Sequence, residues 1–189
     1  RVRGKPIGKL AGRVDTPCVA TGGGAAIRVE PSPRARRGRT TPAREPLPAG
    51  AVLLSPWADL TTTWRARHDA LSMNRTAMET AAKMYLRNVR PFETLASPAR
   101  ARLHGLPPVH IQTSDAEGLS ADARELANKL QREGNAVEFV AWHAMPHAWH
   151  CFAPFIPEAR SALQQASAFM RRCWDEAAAT AVDVAAARP

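Results

Sequence analysis

A predicted strand runs into a histidine-rich turn in the segment Val140-Ala-Trp-His-Ala-Met-Pro-His-Ala-Trp-His150. Just upstream, Val137 and Phe139 are apolar and alternate with other residues, a spacing typical of a β-strand. Pro146 then interrupts the strand and favours a turn. A histidine in a loop just beyond a strand can be held clear of the core, which a general base requires. The segment offers three such side chains: His143, His147 and His150.

A second predicted strand, Val109 to Gln112, lies earlier in the chain and is followed by acidic residues. Strand, acid, helix, strand, histidine is the order of the last two members of a catalytic triad that runs Ser, Asp/Glu, His. The residues alone leave the acid open among three carboxylates: Asp115, Glu117 and Asp122.

The remaining periodicities predict an α/β fold with a parallel sheet of few strands flanked by helices. The continuous apolar run Ala51–Leu54 is typical of a strand buried on both faces. Helices are predicted over residues 76–89 and 121–132, the latter capped by Ser120, and a third begins at Pro157. About three strands are expected. We expect such a small sheet to leave an open edge at which another chain could pair.

The chain divides by composition into three parts. Residues 1–48 hold eleven Lys and Arg against three acids, together with many prolines, and we expect this basic segment to be irregular. Residues 49–174 carry the periodic elements. Residues 175–189 are rich in alanine without large apolar side chains, and we expect a frayed tail there.

Five motifs between residues 46 and 174 carry a family resemblance. They are Gly50-Ala-Val-Leu-Leu-Ser-Pro-Trp-Ala-Asp-Leu60, Ala96-Ser-Pro98, Leu106-Pro-Pro-Val-His-Ile111, Asp115-Ala-Glu-Gly-Leu119 and Met145-Pro-His147. In this order they resemble the C-terminal half of the hormone-sensitive-lipase-like carboxylesterases, the α/β-hydrolase fold-3 group. The resemblance implies a partial α/β-hydrolase fold and hydrolysis of a small-molecule ester or lipid by a Ser-acid-His mechanism. Matched by position, Glu117 would be the acid and His147 the base.

The nucleophile of such a triad is missing from the sequence. The family places a Gly-x-Ser-x-Gly elbow and an oxyanion loop upstream of residue 48, where this chain reads Ala20-Thr-Gly-Gly-Gly24 without a serine. Ser55 and Ser97 both precede prolines and do not lie at a strand-to-helix elbow. We therefore expect a truncated, weak or inactive esterase, with a non-catalytic interaction module derived from a hydrolase as the alternative. One hypothesis is that the N-terminal segment is an out-of-frame reading of a GC-rich gene.

Other site types are disfavoured. Spacings of four and three residues would place His143, His147 and His150 on one helical face, but Pro146 interrupts that helix, and we expect neither a metal nor a cofactor. Trp57, Asp59 and Trp149 could border a pocket, although packing beside a strand end is the favoured interpretation.

Charge, cysteines and hydropathy give the expected partners and location. The net charge of +9 is concentrated in the first 48 residues, so phosphate affinity there would be non-specific and no specific nucleic-acid partner is expected. Three widely spaced cysteines are typical of free thiols in a reducing compartment, which favours a cytoplasmic location. No run of 18 apolar residues or signal sequence is visible, so no membrane span is expected.

Overall fold

The computed structural model describes residues 18–21, 47–61, 75–87, 89–94 and 96–186. These residues form a sheet of four parallel strands in the order β1-β2-β3-β4, which confirms the predicted fold class. The strands are β1 Cys18–Thr21, β2 Ala51–Leu54, β3 Val109–Ser114 and β4 Val137–Trp142. The helices are α1 Arg75–Leu86, α2 Ser120–Arg132 and α3 Pro157–Ala186, with short 3₁₀ turns at Pro98–Arg100 and Trp149–Phe152.

Strand β1 corrects the expectation that residues 1–48 are irregular throughout. It pairs with β2 in parallel, with Cys18 opposite Ala51, so the sheet has one strand more than the three expected. Four residues are too few to show a strand period in a sequence. The rest of the basic segment, up to residue 46, lies outside the described residues, as does Gly22–Gly24.

The sheet is packed on both faces, which explains the continuous apolar sequence of β2. Leu53 belongs to a core shared with β3 and α2, including Ile111 and Leu126. Val52 and Leu54 point the other way and pack against Phe169 and Cys173 of α3, which lie in a second cluster. Successive side chains of a strand face opposite sides, so each face is covered by helix.

All three helices differ from the predictions at an end. Helix α1 ends at Leu86 and not at residue 89. Ser120 was expected to cap α2, but it is the first helical residue, Leu119 holds the cap position, and no side chain caps the helix. Gly134, with φ +82°, lies just past the end of α2, where glycine adopts the left-handed backbone at no steric cost. Helix α3 continues through Asp175 to Ala186, so the expectation of fraying from Asp175 is wrong, because alanine has the highest helix propensity of all residues.

Parallel pairing places the carboxyl ends of β2, β3 and β4 at one edge of the sheet. Ser55 directly follows β2, the acidic loop follows β3, and the histidine turn follows β4. Residues far apart in the chain therefore meet at this edge, which is where open α/β sheets usually bind ligands.

Candidate active site

Glu117 and His147 lie in contact at the carboxyl edge of the sheet. Nδ1 of His147 is 2.8 Å from Oε2 of Glu117. An ionised carboxylate can only accept hydrogen bonds, so Nδ1 carries the proton and donates it. Because Nδ1 is bonded to Glu117, Nε2 is the ring nitrogen of His147 with a free lone pair that can accept a proton.

The Glu117 side chain is fully buried and surrounded by donors. Its Oε1 accepts from Ser55 Oγ at 3.0 Å, from Thr113 Oγ1 at 2.5 Å and from the Ser114 backbone N–H at 2.9 Å. Burial by itself raises the pKa of Glu117, but the hydrogen bonds from His147, Thr113, Ser114 and Ser55 outweigh it, so the pKa lies below its ordinary value. The site therefore holds a buried, charged carboxylate beside the imidazole.

The acidic loop also fixes the turn that carries His147. Asp115 accepts from the Ala144 N–H through Oδ1 and from His143 Nδ1 through Oδ2, each at 2.8 Å. The Ser114 hydroxyl accepts from the Met145 N–H at 2.9 Å. The turn after β4 is thus tied to the loop after β3 by side chains of two consecutive residues.

Of the three acids left open by the sequence, the structure brings only Glu117 to His147. Asp115 pairs with His143, whose side chain is 91% exposed. Asp122 accepts from the backbone N–H groups of Ala58 at 2.8 Å and Asp59 at 3.2 Å, and so binds the loop that follows β2. Burial raises the pKa of Asp122 to about 6.

The three histidines of the turn have separate surroundings. His143 is exposed and His147 is 19% exposed, whereas His150 is buried. Nε2 of His150 is 2.8 Å from Oε1 of Gln112, whose amide nitrogen donates to the Ala162 carbonyl at 2.9 Å. His150 therefore carries its proton on Nε2, and its buried Nδ1 has no partner among the described residues. Burial lowers the pKa of His150 to about 4.

Neither serine considered from the sequence is placed as a nucleophile. Ser55 and Ser97 are both 0% exposed. The Ser55 hydroxyl donates to the acid, and the Ser97 hydroxyl donates to the Pro91 carbonyl and accepts from the Leu60 N–H. The sequence analysis did not predict that the hydroxyls of Ser55 and Thr113 bind Glu117. The one sequence feature that could have indicated it is their position: Ser55 directly follows β2, and Thr113 lies near the carboxyl end of β3, which leads into the loop of the acid.

The three residues considered as pocket borders make local contacts in the described structure, by packing for Trp149 and by hydrogen bonds for Trp57 and Asp59. Trp149 is 0% exposed and stacks on His150 with ring centroids 3.8 Å apart. Asp59 binds Arg100 at 3.0 Å and the Thr61 N–H at 2.8 Å. The Trp57 indole nitrogen donates to the Asp59 carbonyl at 3.2 Å.

Sequence and structure comparisons both find proteins named as esterases or hydrolases. Residues 22–151 match the family described as alpha/beta hydrolase fold. This match begins at residue 22, earlier than the motifs that carry the resemblance, which begin after residue 46. An acetyl-hydrolase of Streptomyces hygroscopicus is 41% identical over 137 residues, which cover 69% of this chain and 45% of that protein. An esterase of Acinetobacter venetianus is 31% identical, over 66% of this chain and 43% of that protein.

Solved structures give the same picture. A bacterial hormone-sensitive-lipase-family esterase is similar with a TM-score of 0.66 and 37% identity, over 69% of this chain and 46% of that one. An esterase/lipase from an uncultured bacterium follows with a TM-score of 0.64 and 34% identity, over 69% of this chain and 45% of that one. The chain thus spans slightly less than half the length of these relatives. Of the helices that the structure describes, none has the length and hydropathy to cross a membrane.

Proposed function

Because the chain belongs to the α/β-hydrolase fold family, we propose that it carries the acid and the base of a Ser-acid-His carboxylic ester hydrolase. Glu117 is the acid and His147 the base. The observation that carries the proposal is the 2.8 Å contact between His147 Nδ1 and the buried Glu117 carboxylate. Relatives named esterase and acetyl-hydrolase support the reaction class.

The geometry supports a specific proton route. With Nδ1–H donated to Glu117, Nε2 of His147 takes the proton from an attacking hydroxyl and returns it to the leaving alcohol. The positive charge that forms on the ring is stabilised by the carboxylate, which itself stays ionised because its hydrogen bonds favour the charged form. Glu117 orients the ring and does not need to accept its proton.

The substrate class is a small-molecule ester or a lipid ester, and we expect turnover by this chain to be low. Ser55 and Ser97 are fully buried, so neither can meet a substrate without rearrangement. Loss of an activated nucleophile costs several orders of magnitude in rate, and loss of one oxyanion donor about 10² to 10³. The free thiols of Cys151 and Cys173 support a cytoplasmic location, where thiols remain reduced.

A paired mutation tests the assignment. The purified chain is incubated with a short-chain nitrophenyl ester and, separately, with a serine-reactive fluorophosphonate probe. His147→Ala should abolish whatever turnover and labelling the chain shows. His143→Ala is the matched control, because His143 lies in the same turn, pairs with a different carboxylate and should leave both signals in place.

The outcomes separate two functions. Turnover that survives His147→Ala would contradict the proposed base. A folded chain without turnover or labelling would favour the alternative, a non-catalytic module derived from a hydrolase, which the burial of both serines also favours. Such a module would bind a second chain along an outer strand, of which β1 and β4 are the two in the described sheet.

A further inference from the structure

We propose that Ser55 is a positioning residue that couples the acid to the histidine turn, an inference that rests on the proposed roles of Glu117 and His147. Its hydroxyl lies 3.0 Å from Oε1 of Glu117, to which it donates, and 3.4 Å from the Ala148 backbone nitrogen, from which it accepts. Ala148 directly follows the base. One hydroxyl therefore joins the acid's carboxylate to the backbone of the residue beside the base.

The backbone of Ser55 is held in an unfavourable conformation at this point. Ser55 has φ +49° and Ala148 has φ +54°, both in the left-handed region that non-glycine residues rarely adopt. The Ser55 N–H donates to the Gln112 carbonyl at 2.8 Å, which fixes the residue to β3. Strained non-glycine residues persist where the surrounding contacts determine their conformation, and such residues cluster at functional sites.

The hydroxyl has a role that a small apolar side chain could not fill. Glu117 has one oxygen for the base and one for orientation, and Ser55, Thr113 and the Ser114 N–H all bind the second oxygen. These three donors fix the plane of the carboxylate and so the direction in which Oε2 meets the imidazole. Among the described residues, the Thr113 hydroxyl bonds to the acid alone, whereas the Ser55 hydroxyl bonds to the acid and to the turn of the base, so the two hydroxyls can be distinguished experimentally.

Two variants of Ser55 separate the effect of its hydroxyl from the effect of its backbone strain. Ser55→Ala removes the hydroxyl and keeps the side-chain carbon that makes a positive φ unfavourable. Ser55→Gly removes the hydroxyl and relieves the backbone, since glycine adopts positive φ readily, so it should fold even where Ser55→Ala does not. Thr113→Val is the matched control because it removes one donor from the same carboxylate oxygen and leaves the bridge to Ala148 intact.

The readout is nuclear magnetic resonance of the full chain, which needs no turnover. The Nδ1–H proton of His147 and the ring ¹⁵N shifts report its hydrogen bond and tautomer, and amide exchange reports the Ala148 N–H. In both Ser55 variants we expect the Nδ1–H signal to weaken or move and Ala148 to exchange roughly twofold to fivefold faster, as for the loss of one long hydrogen bond. In Thr113→Val the His147 signals should also move, because the carboxylate loses one of its three donors, but the exchange rate of the Ala148 N–H should stay close to that of the unmodified chain, since its bond to Ser55 remains.

Two results would overturn the proposal. One is a His147 signal unchanged in both Ser55 variants while urea unfolding shows only a loss of stability, which a packing role alone would produce. The other is an acceleration of Ala148 amide exchange as large in Thr113→Val as in Ser55→Gly, because only Ser55 bonds to that N–H. Neither result depends on catalysis, so the esterase proposal fails separately, through the His147→Ala assay.

Discussion

Asp122 and His150 should make opposite contributions to the pH dependence of the free energy of unfolding. These contributions largely cancel in the unmodified chain, so replacing either residue should expose the contribution of the other. Burial raises the pKa of Asp122 from 3.8 to about 6, against the hydrogen bonds from Ala58 and Asp59 that lower it. Between those two values the folded chain holds a proton that the unfolded chain has lost. The free energy of unfolding contributed by Asp122 therefore falls as the pH rises from about 4 to 6.

His150 has the opposite sign. Burial lowers its pKa from 6.5 to about 4, with Glu117 raising it and His147 lowering it further. Between pH values of about 4 and 6.5, His150 is protonated in the unfolded chain but neutral in the folded chain. The contribution of His150 to the free energy of unfolding therefore rises with pH in this range. The structural reason is that a second proton on His150 would enter at the buried Nδ1, which has no partner among the described residues.

The two slopes are similar in size. One proton changes the free energy of unfolding by about 1.4 kcal/mol per pH unit, so each group contributes about 3 kcal/mol between pH 4 and pH 6, with opposite signs. Asp122→Asn keeps an oxygen that can accept from the Ala58 and Asp59 N–H groups but removes the titration. His150→Gln keeps an N–H that can donate to Gln112 and also removes a titration.

Urea unfolding at pH 4, 5 and 6, followed by tryptophan fluorescence, measures the effect. Plotted as variant minus unmodified chain, the free energy of unfolding should rise by about 3 kcal/mol from pH 4 to 6 for Asp122→Asn and fall by about 3 kcal/mol for His150→Gln. The subtraction cancels the titrations that both chains share, including those of Glu117 and Asp115. Difference profiles that are flat for both variants would refute the reasoning.

Three further changes test packing and the histidine turn. In Gly50→Ala the new Cβ would lie 2.8 Å from Sγ of Cys173, so the free energy of unfolding should fall by about 1–3 kcal/mol in urea titrations, and adding Cys173→Ala should recover part of the loss. Asn135→Ala removes the amide that donates to the Leu103 and Leu130 carbonyls, and the same titration should show a loss of about 1–3 kcal/mol, because both groups lose a buried partner. Asp115→Ala releases the Ala144 N–H from its carboxylate, so amide exchange at Ala144 should accelerate while the core amides of β3 stay protected.

Much of the site follows from sequence because parallel strands align their carboxyl ends. Once β3 and β4 are predicted as neighbours, the acidic loop and the histidine turn must lie at the same edge. The choice among Asp115, Glu117 and Asp122 required the family resemblance, since spacing alone does not say which side chain turns inward. The structure shows Glu117 turned into the core beside His147, Asp115 facing His143, and Asp122 bound to the loop after β2.

What the sequence did not predict depends on contacts between distant residues. Ser55 and Glu117 are 62 positions apart, and their hydrogen bond exists only because β2 and β3 are adjacent. Strand β1 is only four residues long, and its pairing with β2 carries no local period that a sequence could display. The burial of His150 likewise arises from its packing on Trp149 and its hydrogen bond to Gln112, neither of which a pattern of histidines reveals.

The two histidine–carboxylate pairs at the sheet edge show why distance alone does not identify a catalytic pair. His143 with Asp115 and His147 with Glu117 both have nitrogen–oxygen distances of 2.8 Å. In the first pair the side chains are 91% and 49% exposed, and in the second 19% and 0%. Water and salt screen an exposed pair, which therefore gains little from its charges and holds its geometry weakly, whereas a buried carboxylate surrounded by donors keeps both its charge and its direction. The proposed chemistry is therefore assigned to the buried pair, Glu117 and His147, and not to the exposed pair of Asp115 and His143.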